Sequence, residues 1–123
     1  MEKFEVIMMR RIRKMLREVG KKYDEGKPMI NLVEPEFIEG LAKVLTFGAK
    51  KYGALNWQKG LQKERILAAL YRHVLKYHEG QKFDGETGLH HLLHAAVNCM
   101  FLVWYDSKEL QSENYGVKTE EEK

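Results

Sequence analysis

Four segments of the chain carry apolar residues every three or four positions, the spacing of one face of an α-helix. We predict helices over residues 2–20, 35–52, 62–79 and 89–105, and glycine or proline stands near most of their ends. Their apolar faces are expected to be buried, including Val74 and Leu75 of the third helix. No segment shows the apolar and polar alternation of a half-buried strand. The pattern therefore predicts an all-α fold, a small helical bundle of about four helices.

The length of the chain fits one domain with a shorter segment at each end. Its 123 residues are 44% hydrophobic, which supports a single modest core. We expect residues 1–22 to form an amphipathic helix, residues 23–111 the all-α domain, and the charged residues 112–123 a disordered tail. A core this small favours self-association, as a dimer or a tetramer.

The charge balance bears on partners and location. Lysine and arginine number 21 against 18 acidic residues, a net charge of +3 that supports binding of anionic small molecules but not of nucleic acid. No apolar run approaches the roughly 20 residues of a membrane-spanning helix, so we expect no membrane partner. The single cysteine, Cys99, falls in an apolar pattern, and we predict a buried free thiol in a cytoplasmic protein.

Three polar side chains of the last helix share one face, because His91, His94 and Asn98 stand at i, i+3 and i+7. Asp84 and Glu86 precede them and are candidate ligands of the same metal ion, or acids that cap the helix. Imidazole donors favour manganese, iron, cobalt or zinc, whereas carboxylates suit magnesium. The alternative for the two histidines is a buried hydrogen-bonded pair closed by Asn98.

A second candidate ligand pair stands at the start of the second helix. Glu36 and Glu39 are three residues apart, so both carboxylates can reach one divalent cation from one helical face. The alternative is a solvated pair of acids that complements the positive end of the helix dipole.

Substrate contacts are predicted on the second and third helices and on the loop between them. Lys50, Lys51 and Arg72 are candidates to bind phosphates, and the arginine is suited to a bidentate contact. Asn56 and Trp57 lie in a loop bounded by glycines and are candidates to contact a base. Each of these side chains has a structural alternative, as a solvated helix residue, a loop cap or a plug for the end of the bundle.

Several short blocks occur in an order that resembles one protein family: residues 22–28 (KYDEGKP), 45–53 (LTFGAKKYG), 56–57 (NW), 72–73 (RH) and 84–98 (DGETGLHHLLHAAVN). The chain resembles the dATP/dGTP diphosphohydrolase N-terminal domain family, which includes MazZ-like phage enzymes. More distantly, it is similar to all-α nucleotide pyrophosphohydrolases of the MazG type. The resemblance implies metal-dependent hydrolysis of a deoxynucleoside triphosphate to its monophosphate and pyrophosphate, in the host cytoplasm if a phage encodes the chain.

The wider relatives bind magnesium through a Glu-x-x-Glu pair and a Glu-x-x-Asp pair. Glu36 and Glu39 match the first pair, while His91 and His94 stand where the second is expected. This substitution extends the expected metals from magnesium or manganese to cobalt, iron and zinc.

Together these features predict a purine deoxynucleoside triphosphate pyrophosphohydrolase acting on dGTP or dATP. His73 would orient the attacking water or protonate the leaving group. The catalytic set is Glu36, Glu39 and His73. The metal set is Glu36, Glu39, Asp84, Glu86, His91 and His94, and the substrate set is Lys50, Lys51, Asn56, Trp57, Arg72 and Asn98. The alternatives are a phage protein that sequesters a nucleotide without cleaving it, and a helical module that binds a partner.

Overall fold

The computed structural model describes residues 2–108, apart from the side chains of residues 2 and 17–19. The predicted tail, residues 112–123, lies outside this range. Within it the fold is all-α, as predicted, and residues Phe83 and His90 form an isolated β-bridge. The helices are α1 (Glu2–Val19), α2 (Pro35–Tyr52), α3 (Lys63–His78) and α4 (His91–Ser107), with short 3₁₀ turns at Ile30–Leu32 and Asn56–Gln58. None of these helices is long and apolar enough to cross a membrane.

Internal contacts divide the chain into two units, residues 1–30 and residues 31–123. In the first unit, α1 exposes apolar side chains such as Phe4 and Leu16, which are 67% and 69% exposed. In the second unit, α4 packs against both α2 and α3, whereas α2 and α3 have few contacts with each other. Helix α4 is therefore the element on which the rest of the second unit is assembled.

The contact between α2 and α4 depends on the absence of a side chain at one position. Gly40 is buried, and a Cβ placed on it would lie 2.7 Å from Cδ1 of Leu93 on α4. Among the described residues the buried large or aliphatic apolar side chains are few: Val44, Ile66, Ala95, Val97 and Tyr105, of which Tyr105 is fully buried. This small core agrees with the modest core expected from the composition.

Local signals define the ends of α2. The Glu34 carboxylate accepts hydrogen bonds from the backbone N–H groups of Glu36 and Phe37 at 2.9 and 2.7 Å, and Pro35 occupies the first helical turn. At the other end, Gly53 has a φ of 96° and its N–H donates to the carbonyl of Ala49. These caps fix α2 at the predicted residues.

Several burial predictions are wrong. Val74 and Leu75 of α3 are 44% and 53% exposed, and Cys99, predicted to be a buried thiol, is exposed. Cys99 and Val103 stand one turn apart on a stripe of α4 that is open to solvent. The physical reason is that α2 and α3 cover only part of the circumference of α4, and periodicity does not tell which part.

Candidate metal and nucleotide site

A cavity of about 1410 Å³ opens in the second unit, with walls from α2, α3, α4 and the loops at residues 53–62 and 84–87. Such a volume is sufficient for a nucleotide, since small-molecule pockets typically enclose about 300–1,000 Å³. Nine of the predicted site residues line it: Lys51, Asn56, Trp57, Arg72, His73, Asp84, Glu86, His94 and Asn98. The cavity therefore brings together residues that are distant in the sequence.

Three histidines meet where α3 packs against α4. The Nδ1 atoms of His73 and His91 are 2.9 Å apart, and the ring of His73 stacks on that of His94 at 4.5 Å with an angle of 8° between the planes. The predicted i, i+3 spacing places His91 and His94 on one face of α4, and α3 supplies His73 opposite them. Asn98 does not close this pair through a ring, because its side-chain N–H donates to the backbone carbonyl of His94.

Asp84 reaches the histidines from a closed turn that precedes α4. Its Oδ2 accepts hydrogen bonds from the backbone N–H and the hydroxyl of Thr87 at 2.9 and 3.0 Å, and it lies 3.9 Å from Nε2 of His94. Gly88, with a φ of 72°, lets the chain turn back. The alternative that Asp84 and Glu86 cap α4 is wrong, because α4 begins at His91 and its N-cap is His90, whose Nδ1 accepts from the N–H of Leu92.

The residues around this point have the donor set of a divalent metal site. Ligand atoms of His73, Asp84 and His91 lie within 4.8 Å of one another. The Nε2 atom of His91 is buried and has no hydrogen-bond partner among the described residues. Two imidazoles and a carboxylate suit manganese, iron, cobalt or zinc. The cluster therefore fits a metal of the kind that the sequence predicted, with His73 in place of His94.

The protonation states suit metal ligands. The pKa of His73 falls to about 4, first because burial disfavours the charged ring and then because His94 and His91 repel it. Burial also lowers the pKa of His94. Burial alone would raise the pKa of the Asp84 carboxyl, but the two hydrogen bonds from Thr87 bring it below its usual value. At neutral pH His73 and His94 are thus neutral imidazoles and Asp84 is an ionised carboxylate, the forms that bind metals.

Acidification is expected to destabilise the metal-free protein. Unfolded histidine takes up a proton near pH 6.5, while His73 in the folded protein resists it down to about pH 4. The free energy of unfolding should therefore fall across this window, by about 1–2 kcal/mol from His73 once solvent screening is allowed for. Urea unfolding of chelator-treated protein at several pH values measures the slope. His73→Gln should flatten it, and an equal slope in that variant would contradict the assignment.

Two oppositely charged side chains meet at the cavity wall. Lys51 Nζ lies 2.9 Å from Oε1 of Glu86, and this pair raises the pKa of the lysine. Arg72 also lines the cavity and is exposed. Lys50 does not line the cavity, and it is exposed on α2. The structure thus brings two of the three predicted phosphate-binding cations to the cavity.

The Glu36 and Glu39 pair lies apart from the histidines. Both residues are exposed on the first turns of α2, outside the cavity lining, and Glu39 pairs with Lys43 at 3.7 Å. Neither belongs to the group formed by His73, Asp84 and His91. Their role as metal ligands stays a prediction.

A polar anchor holds the loop that carries Asn56 and Trp57. The hydroxyl of Tyr105, which is 0% exposed, donates to the carbonyl of Trp57 at 2.5 Å and accepts from the N–H groups of Gly60 and Leu61 at 2.9 and 2.8 Å. The Trp57 ring stacks on Phe101 at 4.7 Å. The loop is therefore fixed to α4, with Asn56 and Trp57 on the cavity wall.

Comparison with known proteins identifies the family. The model of the family described as "dATP/dGTP diphosphohydrolase, N-terminal" matches residues 17–114. The chain belongs to this family. It is similar to a dATP/dGTP diphosphohydrolase of Salmonella phage PMBT28, with 49% identity over 85 residues. That match covers 69% of this chain and 29% of the phage protein, so the chain spans less than a third of its relative. No solved structure matches the chain.

The site described above lies entirely within the region matched to the dATP/dGTP diphosphohydrolase N-terminal family, whereas most of α1 precedes it. The family resemblance drawn from the sequence is thus confirmed.

Sequence reasoning missed Arg65, Thr87 and Tyr105. Arg65 and Thr87 line the cavity. Thr87 lies in residues 84–98, one of the blocks that carry the family resemblance. Nothing in the spacing indicates that its hydroxyl makes hydrogen-bond contacts with both Asp84 and His94.

Proposed function

We propose that this chain carries a metal-dependent site that hydrolyses a purine deoxynucleoside triphosphate, dGTP or dATP, to the monophosphate and pyrophosphate. The observation that carries this proposal is one cavity in which imidazole and carboxylate groups, four cationic side chains (Lys51, Lys59, Arg65 and Arg72) and an aromatic wall occur together. Membership of the family, and the printed name of the phage relative, support the same substrate class.

His73, Asp84 and His91 would hold the divalent ion, which is manganese or magnesium in the first instance and cobalt, iron or zinc as further candidates. When bound, such an ion lowers the pKa of water and offsets charge at the phosphate. His94 stacks on His73 and contributes a further nitrogen at the rim of the cluster. Glu36, Glu39 and Glu86 stay separate ligand candidates.

In the proposed reaction, a water oxygen attacks the α-phosphorus and the bond to the bridging oxygen of the β-phosphate breaks. Pyrophosphate leaves with the bonding electron pair, and the water gives up a proton to a base. His73 is neutral at physiological pH, since its pKa lies at about 4. It is therefore suited to bind a ligand or to orient water, and it is a poor donor of a proton to the leaving group.

Positive side chains would receive the triphosphate. Arg72 and Lys51 line the cavity, and Lys51 would exchange its contact with Glu86 for a phosphate oxygen. Asn56 and Trp57 would contact the base from the anchored loop, with Asn98 on the α4 wall. Lys50 stays a candidate for the outer phosphate.

Arg72→Gln is expected to raise KM for the triphosphate about 10-fold or more, because a charge-assisted contact is worth about 1.5–3 kcal/mol. Steady-state rates over a range of substrate concentrations give the value. Arg10→Gln, which removes an exposed arginine of α1 outside the cavity, is the matched control and should leave KM unchanged. Equal KM values in Arg72→Gln and the unaltered protein would remove Arg72 from the site.

The activity itself is tested by incubating the protein with each common dNTP and NTP, together with magnesium, manganese or cobalt. Ion-exchange chromatography then resolves the products. Monophosphate and pyrophosphate from a purine deoxynucleotide are expected. Tight binding of an intact nucleotide would instead favour the sequestering protein, and binding of neither nucleotide nor metal would favour the partner-binding module.

We also propose that the protein is a cytoplasmic homo-oligomer, a dimer or a tetramer. Large apolar side chains remain exposed on the second unit, among them Phe37, Ile38, Leu75 and Val103. Exposed apolar surface is costly in water, and interfaces between subunits commonly cover it. Light scattering coupled to size-exclusion chromatography measures the mass, and a monomer at micromolar concentration would contradict the proposal.

A further inference from the structure

The hydroxyl of Thr87 stands at the centre of three hydrogen-bond contacts. Its Oγ1 lies 3.0 Å from Oδ2 of Asp84, 2.7 Å from Nε2 of His94 and 3.1 Å from the backbone nitrogen of Leu89. All of these groups are partly buried. A hydroxyl has one hydrogen to donate and two lone pairs to accept with, so the three contacts have to be shared out.

Counting hydrogens assigns each contact. Asp84 is ionised at neutral pH, because its pKa lies below the already low value of an ordinary aspartate, and a carboxylate can only accept. The N–H of Leu89 can only donate. Thr87 therefore gives its one hydrogen to Asp84 and accepts from Leu89, and its second lone pair faces Nε2 of His94. That contact is a hydrogen bond only if Nε2 carries the hydrogen.

We propose that Thr87 is a positioning residue that holds His94 in the tautomer protonated at Nε2 and leaves Nδ1 of that ring with its lone pair. The position of Asp84 supports the same tautomer, because its negatively charged Oδ2 lies 3.9 Å from Nε2 of His94 and favours a hydrogen on that nitrogen. The turn closed by Gly88 and the β-bridge between Phe83 and His90 hold Thr87 in place against α4.

This tautomer determines what His94 can do in the cavity. With Nε2 engaged by Thr87, the nitrogen left for chemistry is Nδ1, which can accept a proton from water or donate its lone pair to a ligand. His94 lies outside the group formed by His73, Asp84 and His91. It lines the cavity beside that group, and we assign to its Nδ1 the positioning of water or of a ligand there. This role rests on the proposed function, whereas the tautomer does not.

The tautomer can be observed directly in protein labelled with ¹⁵N at histidine. A long-range ¹H–¹⁵N correlation spectrum at neutral pH, on chelator-treated protein without nucleotide, separates protonated from unprotonated ring nitrogens. The His94 signals are assigned in the unaltered chain by through-bond correlation of the ring with its own backbone, and their loss in His94→Gln checks the assignment. Protonation at Nε2 alone is expected. Protonation at Nδ1, or averaging between the two nitrogens, would overturn the proposal, and this spectrum of the unaltered chain decides it even if variants fail to fold.

Two substitutions at Thr87 identify the residue responsible. Thr87→Ser keeps the hydroxyl and should keep the tautomer, whereas Thr87→Val keeps the shape and should give a mixture. In the enzyme assay, Thr87→Val should lower kcat about 10-fold or more with KM within about twofold, and Thr87→Ser should restore it. A single Nε2 tautomer in Thr87→Val would show that Thr87 is not the cause. If no nucleotide is hydrolysed at all, the proposed function fails while the spectra still test the tautomer.

Discussion

Replacing Asp84 with asparagine is expected to lower nucleotide hydrolysis by about 100-fold or more. The loss of a residue that merely supports a metal ligand costs 10–100-fold, and Asp84 both belongs to the candidate ligand group and carries its only negative charge. Its carboxylate also accepts the two hydrogen bonds that close the turn at Thr87. Calorimetric titration with manganese should show weaker binding alongside the lower rate, while circular dichroism reports whether the helices persist.

Glu79→Gln is the matched control for this experiment. Glu79 is an exposed acid next to α3 that pairs with Lys76 at 4.0 Å and does not line the cavity. Its loss should leave both rate and metal affinity close to those of the unaltered protein. Asp84→Asn with full activity and full manganese affinity would remove the carboxylate from the proposed site.

The double variant Glu36→Gln, Glu39→Gln tests the other candidate ligand pair in the same assays. A loss as large as that of Asp84→Asn would show that the exposed carboxylates at the start of α2 take part, and a second copy of the chain would be the natural route by which they reach a cavity they do not line. Unchanged metal affinity would confine the metal to the histidine cluster.

Tyr105→Phe is expected to lower the free energy of unfolding by about 2–3 kcal/mol, a large loss for a single oxygen atom. The change leaves the carbonyl of Trp57 and the N–H groups of Gly60 and Leu61 without the hydroxyl that they share. Because Tyr105 is 0% exposed, water does not reach its hydroxyl in the folded protein to replace it. Urea unfolding followed by tryptophan fluorescence measures the difference.

Tyr71→Phe provides the comparison, since Tyr71 is 63% exposed and the same atom is removed where water can take its place. Its effect should stay within about 0.5 kcal/mol. If Tyr105→Phe costs no more than Tyr71→Phe, the anchor does not hold the loop. Nucleotide affinity should weaken with Tyr105→Phe, because Asn56 and Trp57 lose their fixed position.

Local sequence patterns predict where the helices lie along the chain, but they do not predict how the helices pack against one another. The repeat of apolar residues and the cap at Glu34 depend on neighbours in sequence, so α2 was predicted at its observed bounds. The start of α4 was placed two residues early, because residues 84–90 form a turn whose hydrogen bonds run between Asp84, Thr87 and Leu89. Such bonds depend on the folded path of the chain rather than on periodicity.

The composition of the histidine cluster shows the same limit. Spacing alone places His91 and His94 on one face, but the contact of His73 with both depends on how α3 crosses α4. His73 was therefore predicted as a catalytic residue, while the structure places it among the candidate ligands. Burial at Val74, Leu75 and Cys99 was misjudged for a related reason, since a helix pattern shows an apolar face without showing what covers it.

Helices α2 and α3 each lean on α4 and scarcely touch one another. The two walls of the cavity are therefore connected mainly through α4, and little else in the domain resists a change in the distance between them. A triphosphate bound by Lys51 on α2 and by Arg72 on α3 would connect the two walls directly. Ligand binding should then slow amide exchange in α2 and α3 together, because a bridge between two walls stabilises both at once.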